Sequence, residues 1–362
     1  MMVSYMHAHV FIIKHNKGVF IMEQLFSPYK LKGLELKNRI TLPPMCLFVV
    51  DKKDGIATDF HHVHYVSRAI GGTGLIIIEM TNIEPDGRIT DFDLGLWSDE
   101  QIPALAEIVE ECHRYGAKVG IQIGHAGRKA ENADLPVAPS AIPFDEKSKT
   151  PRALSTEEVK EMVEKFRKAV ERAVKAGVDT IELHGAHGYL IHQFHSPLTN
   201  IRDDEYGKDL TKFGKEVIQA SKSVMPDHMP LIMRISAKEY VNGGYGLRES
   251  INFSKEYQNA GVDMFHVSSG GEGPLVAAFG KPGTHAAYQV PLAKAIKDAL
   301  NVPVIAVGRL DEPALANAVI GNDEADLVAV GRAMLRNPHW ALEAAIKLRK
   351  ETHVPKPYSA GF

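Results

Sequence analysis

Cysteine is almost missing: the 362-residue chain holds two, Cys46 and Cys112. Two thiols cannot build a disulfide framework or a four-thiolate metal site, and such sparing use points to a reducing compartment. An excess of one charge is missing too. The 42 basic and 45 acidic side chains leave a formal net charge of −3, which argues for neither nucleic acid nor an anionic membrane as partner. No apolar run approaches the ~20 residues of a membrane span. No Gly-x-Gly-x-x-Gly follows an apolar run and no Walker A loop occurs, so a Rossmann sheet and a P-loop enzyme are both disfavoured. No Pro/Ser-rich linker or shift of composition divides the chain. Length alone allows two or three domains or one α/β barrel; the uniform composition favours one. The expectation is a soluble, cytoplasmic protein.

Residues 1–21 read unlike the rest. The apolar stretch Val10 to Ile13 is short for a signal h-region, Lys14 interrupts it and no small-residue cleavage site follows, so a secretory signal is not expected. His7, His9 and His15 allow a metal-binding tract, but an extension without structure or function ahead of Met22 is the preferred reading. Residues 22–362 are expected to form the barrel and a C-terminal tail.

What is present is alternation. Short apolar runs recur at Arg39–Met45, Leu75–Met80, Val119–Gly124, Thr180–Gly185, Leu231–Ser236, Met264–Ser269, Val302–Gly308 and Leu327–Gly331. Runs this short, without polar alternation, suit strands buried on both faces. The segments between them carry helical spacing. Ser155 and Glu158 cap a stripe through Val159, Met162, Phe166, Val170 and Ala173 that Gly177 stops. Eight such units in one domain predict a TIM (β/α)8 barrel.

A barrel keeps its chemistry at the C-terminal strand ends, and here those ends are polar. Strand one ends in Met45-Cys46; strand three carries Gln122 and runs into His125; strand four ends in His184 and continues to His187 and Tyr189. Arg234 lies inside an apolar run, where its charge needs a partner; a ligand contact is favoured over a structural ion pair. Gln122 shares a strand face with Gly120 and Gly124, leaving room for a flat ligand; a glutamine bonding only backbone fits equally well. Gly308-Arg309 and Gly331-Arg332 end strands seven and eight, where barrels often seat a phosphate. The histidines from His184 to His195 allow a metal site, but strand one offers no ligand to complete it. They also allow hydrogen-bond donation to a substrate oxygen, with Tyr189 as proton donor and with His192 and His195 covering the rim. Cys112 lies on an apolar helical stripe and reads as core. Cys46 is as well explained by a buried structural thiol as by one beside a ligand.

Together these stretches resemble the Old Yellow Enzyme family of flavin-dependent ene-reductases, in its thermophilic-like branch. The resemblance rests on Leu36-Lys37-Asn38-Arg39-Ile40, Pro44-Met45-Cys46, Gln122-Ile123-Gly124-His125-Ala126-Gly127-Arg128-Lys129, His184-Gly185-Ala186-His187-Gly188-Tyr189 and Asp204-Glu205-Tyr206-Gly207. It implies FMN over the barrel mouth, with Pro43, Pro44, Met45, Cys46 and Met80 lining the isoalloxazine. It further implies Gln122 at the pyrimidine edge, Arg234 at the N1/C2-carbonyl region, and Gly308, Arg309, Gly331 and Arg332 at the phosphate. NADPH or NADH would reduce the flavin. An activated alkene would then bind against Phe48, His184, His187 and Tyr189; the histidines would polarise its oxygen and Tyr189 would protonate its α-carbon. Cys46 would modulate the flavin and contact the substrate. The resemblance also implies a homo-oligomer, dimer or tetramer, acting on a small molecule.

The chain departs from the branch in several places. Phe48 replaces a tyrosine, Pro43 a serine, His195 a leucine and Ala360 an arginine, and the loop from Gly270 to Tyr288 is longer. Phe48 and Ala360 leave open a flavin-binding barrel with weak ene-reductase activity on another acceptor. A multidomain dienoyl-CoA-reductase-like flavoprotein is disfavoured, because its iron–sulfur cluster needs more cysteines than two.

Overall fold

The computed structural model describes residues 24–273, 283 and 285–361. The extension expected over residues 1–21 lies outside them, as does part of the loop between Gly270 and Tyr288.

Two short antiparallel strands, β1 (Tyr29–Leu31) and β2 (Leu34–Leu36), open the described chain. Then come β3 (Ile40–Leu42), β4 (Leu75–Asn82), β5 (Lys118–Gly124), a small parallel pair β6 (Val137–Ala138) and β7 (Arg152–Ala153), β8 (Thr180–Gly185), β9 (Leu231–Ser236), β10 (Met264–Ser268), β11 (Val304–Val307) and β12 (Leu327–Ala329). Apart from the β1–β2 and β6–β7 pairs, these strands close in chain order into one eight-stranded parallel barrel, β12 pairing with β3. The strands of this barrel are the eight apolar runs of the sequence. Four are shorter than the runs, β10 by the single residue Ser269. β3 stops at Leu42 because Pro43 and Pro44 have no N–H for the ladder. β11 starts only after Pro303, and β12 ends before Gly331.

Helices cover the outside: α1 (Asp59–Ile70), α2 (Ile102–Arg114), α3 (Thr156–Lys175), α4 (Leu190–His195), α5 (Glu205–Lys208), α6 (Lys212–Lys222), α7 (Leu247–Ala260), α8 (Val290–Leu300), α9 (Pro313–Gly321), α10 (Arg332–Arg336) and α11 (Trp340–Leu348). α3 begins where the sequence placed it: Ser155 Oγ accepts from Glu158 N–H and the Glu158 side chain returns to Ser155. Its buried face is Val159, Met162, Phe166, Ala169, Val170 and Ala173. Cys112 lies in the same core, and burial pushes its thiol up to about 12.

The β1–β2 hairpin closes the N-terminal end of the barrel. Leu34 and Leu36 pack with Leu75, Ile77, Ile232, Met264, Ile305 and Leu327 in one buried cluster. That leaves the opposite, C-terminal mouth as the open end. No helix among the described residues is long and apolar enough to cross a membrane.

Candidate active site

At the mouth, the end of β8 gathers three of the expected residues. His184 lies 5.2 Å from His187 and 4.8 Å from Tyr189, ring centre to ring centre, both edge-on. Burial comes first, and Arg234 second, in holding both imidazoles well below the ordinary histidine range, so both are neutral. His184 Nδ1 accepts the Ala186 N–H at 3.3 Å, which places the ring proton on Nε2. His187 adopts a left-handed backbone, φ +60°, and three bonds over-determine it. Its N–H donates to Ser236 Oγ at 3.1 Å, its carbonyl accepts from Lys129 Nζ at 2.9 Å, and its Nε2 pairs with Ser268 Oγ at 2.7 Å. Burial also raises the Tyr189 hydroxyl above its ordinary value.

Cys46, Met80 and Tyr189 share a small apolar cluster. The β4–β5 register slips between Ile78 and Thr81, a bulge that re-aims Glu79 and Met80. Met80 then fills space beside Gly124: a Cβ there would stand 2.8 Å from the methionine sulfur and 3.2 Å from His184 Cβ. The room that the sequence left for a flat ligand at this glycine is thus taken by Met80 and His184. Cys46 is half-buried; burial, then Glu79 and Asp93, push its thiol well up. It is therefore a thiol rather than a thiolate. Phe48 is 43% exposed at φ +55°, so its ring is not packed into the core.

Below the mouth lies a polar layer that the sequence reading missed. Gln122 Nε2 donates to Glu182 Oε1 at 2.7 Å, and His266 Nδ1 pairs with Glu182 Oε2 at 2.7 Å. Gln122 therefore bonds a carboxylate on the next strand, which neither reading of it foresaw. Burial pulls the Arg234 guanidinium down, and Glu182 leads the groups that oppose this. Glu182 and His266 each interrupt an apolar run, the same signal that singled out Arg234.

The histidine-dense segment resolves into structure. His125 pairs with Glu84 at 2.8 Å and accepts the Gly127 N–H. His192 and His195 are fully buried rather than rim residues. His195 bonds Tyr257 Oη at 2.9 Å and Tyr245 Oη at 3.3 Å. His192, Glu239 and Glu272 bring one ligand atom each within 4.8 Å of one another. His192 Nδ1, however, accepts the Gly188 N–H at 3.0 Å. Its proton must therefore sit on Nε2, where it meets Glu239 Oε1 at 3.0 Å. To bind a metal there while Nδ1 accepts the Gly188 N–H, His192 would have to become an imidazolate, which disfavours the metallohydrolase alternative at this group.

The residues do fit FMN. Arg234 Nε is buried without a hydrogen-bond partner, and Nη1 reaches only Pro44 O, at 3.5 Å. A buried cation so poorly satisfied matches an anionic acceptor. Gly308 adopts φ +133°, Arg309 φ +54°, and Arg309 Nη1 donates to Gly283 O at 2.9 Å. A Cβ on Gly331 would meet Met45 Sδ at 3.3 Å and Pro43 Cγ at 3.5 Å. The expected phosphate end and the expected ring end are therefore neighbours. Arg332 is exposed at the start of α10.

The sequence profile of the NADH:flavin oxidoreductase / NADH oxidase family matches residues 24–351. An NADPH dehydrogenase of Listeria innocua is 49% identical over 344 residues, covering 94% of this chain and 100% of the relative. One of Clostridium acetobutylicum is 46% identical over 345 residues, covering 94% and 99%. Among solved structures, morphinone reductase superposes with a TM-score of 0.76 at 26% identity, covering 94% of each chain. A complex of morphinone reductase with tetrahydroNAD superposes equally well, at 27% identity and 93% of each chain. With an eight-stranded barrel, a mouth that fits FMN and these relatives, the chain belongs to the NADH:flavin oxidoreductase / NADH oxidase family and is an FMN-dependent NAD(P)H oxidoreductase of the Old Yellow Enzyme type.

Proposed function

We propose that the enzyme reduces the activated C=C bond of α,β-unsaturated carbonyl or nitro compounds. The observation that carries this reading is the meeting, at the end of one strand, of two neutral imidazoles and a tyrosine hydroxyl beside a buried arginine. FMN, when bound, would supply the hydride chemistry that links NADPH or NADH to the β-carbon of the alkene. Pro43, Pro44, Met45, Cys46 and Met80 would hold its ring, Gln122 and Arg234 its polar edge, and Gly308, Arg309, Gly331 and Arg332 its phosphate.

Neutral imidazoles donate one proton each, and the tautomer decides from which nitrogen. His184 donates from Nε2. For His187 the Ser268 hydroxyl decides, since its proton has two destinations: His187 Nε2 at 2.7 Å and Gln289 Oε1 at 3.4 Å. Gln289 Oε1 already accepts from Ser269 Oγ at 2.7 Å. When the hydroxyl donates along the shorter contact, to His187 Nε2, the imidazole proton sits on Nδ1, free to donate. Both bonds strengthen as negative charge develops on the substrate oxygen. Tyr189 then gives its proton to the α-carbon. Phe48, without a hydroxyl, offers that substrate only apolar surface.

Anaerobic oxidation of NAD(P)H by the FMN-loaded enzyme, with and without enones, maleimides and nitroalkenes, tests the reading. Acceleration by such alkenes is expected. Steady oxidation that none of them accelerates would overturn it in favour of another acceptor.

A further inference from the structure

Beside the mouth lies a cleft of about 400 Å³ between the segment Arg128–Glu131 and the excursion that follows β5. Its walls are built rather than loose. β6 and β7 pair the two ends of the excursion, and Arg202 Nη1 donates to Pro139 O at 2.9 Å. Arg128 Nη1 reaches Pro143 O at 3.0 Å, while Nη2 pairs with Glu272. Lys129 forms the wall shared with the mouth. Its ammonium donates to His187 O at 2.9 Å and Gly271 O at 3.3 Å, and stands 5.1 Å from the Tyr189 ring centre. Phe144 supplies an apolar side, 4.5 Å from the same ammonium.

The lining is cationic. Arg128, Lys129, Lys147 and Lys149 face only Glu131 and Asp145. Asp145 is committed to its own turn, accepting from Lys147 N–H at 3.0 Å, Ser148 N–H at 2.9 Å and Ser148 Oγ at 2.7 Å. Glu272 matches Arg128. Lys149 Nζ donates to Ala133 O at 2.6 Å, and neither Lys147 nor Lys149 has a carboxylate at ion-pair distance among the described residues. The cleft on the other side of the excursion has the opposite balance: Glu84, Asp86, Glu158 and Glu161 outnumber Arg152 and Lys165, which pair with Glu158 and Glu84.

We propose that the cationic cleft binds the adenosine half of the nicotinamide donor, with Lys147 and Lys149 recognising the 2′-phosphate that distinguishes NADPH from NADH. Lys129 lines the cleft and also touches His187 O and the Tyr189 ring at the mouth, so one dinucleotide whose nicotinamide lies in the mouth would reach the cleft past Lys129. A phosphate monoester carries between one and two negative charges near neutral pH, and lysine meets it as a point charge. The inference rests on the nicotinamide donor alone and is independent of the alkene reading.

The test uses the FMN-loaded enzyme, wild type and Lys147→Ala/Lys149→Ala, with stopped-flow reduction of the flavin by NADPH and by NADH. Calorimetric titration with adenosine 2′,5′-bisphosphate and with adenosine 5′-monophosphate gives a readout independent of turnover. Wild type is expected to prefer NADPH and to bind the bisphosphate more tightly, the preference shrinking with salt. In the double variant the NADPH-to-NADH ratio of kred/Kd should fall about tenfold and the bisphosphate preference should vanish. Lys255→Ala, on the exposed side of α7, should leave the ratio unchanged. An unchanged ratio in the double variant, equal binding of the two nucleotides by wild type, or an equal loss in Lys255→Ala would each overturn the assignment.

Discussion

His184, His187 and Tyr189 occupy adjoining turns, yet different neighbours decide what each donates. In the proposed reaction Tyr189 is asked for a proton only when the alkene is reduced. Tyr189→Phe should therefore slow that half-reaction about 10²-fold or more, leaving flavin reduction by NAD(P)H within about twofold. Stopped-flow measurement of the two half-reactions separates them, and equal slowing of both would remove Tyr189 from the role. Ser268 acts through His187. Ser268→Ala frees His187 to carry its proton on Nε2 and should slow alkene reduction about tenfold. Ser268→Thr, which keeps the hydroxyl, should restore the rate, and ¹⁵N shifts of the labelled imidazole should report the change of tautomer in Ser268→Ala. At this scale one signal was more informative than it was taken to be. A charged side chain inside an apolar run pointed to Arg234. Glu79, Glu182 and His266 obey the same rule, and all three are fully buried. The partner of each lies on another strand or helix, so the run announces a polar contact without naming it.

Among the elements, the barrel strands and α3 were legible because their signals are local: apolar runs of strand length and a Ser155–Glu158 capping box. The hairpin was not. β1 and β2 have three residues each, too few to show a period. Their role appears only when Leu34 and Leu36 meet side chains from across the barrel floor. Leu36→Ala should cost about 2–5 kcal/mol, the range for truncating a buried leucine. Urea unfolding should show it as a lower midpoint, with FMN retained by the folded fraction, since the hairpin lies at the end away from the mouth. A loss of FMN at unchanged stability would contradict that placement. The bulge in β4 was equally invisible, because a register slip is a property of two strands and not of the residues Glu79 and Met80 alone.

The molecule as a whole buries several histidines in neutral form. Burial holds His184, His187, His195 and His266 below the ordinary range, and His64 falls to about 3. The unfolded chain takes up protons at these sites near pH 6.5, whereas the folded chain does not. The unfolded state therefore binds more protons, and stability is lost as pH falls through that region. Asp93, raised to about 6, and Glu272, also raised, have the opposite sign, but they are two groups against five. The melting temperature should thus decline between about pH 7 and pH 5, as calorimetry would show; a rise on acidification would mean that the two carboxyls dominate. The sequence by itself determined the barrel and its polar end, because strand runs, caps and strand-end residues are short-range patterns. It also determined which chemistry was at hand: imidazole, phenol, thiol and guanidinium, without a cysteine cluster. Only the tertiary structure decided which of these groups meet and how each is protonated. Whether a histidine donates, accepts or could ligate depends on which nitrogen holds the proton; the Ala186 and Gly188 amides set this for His184 and His192, and for His187 it is tied to the direction of the Ser268 hydrogen bond. Ser268 is far from His187 along the chain, and the two amides are near their histidines in sequence but reach them only through the fold of the turn.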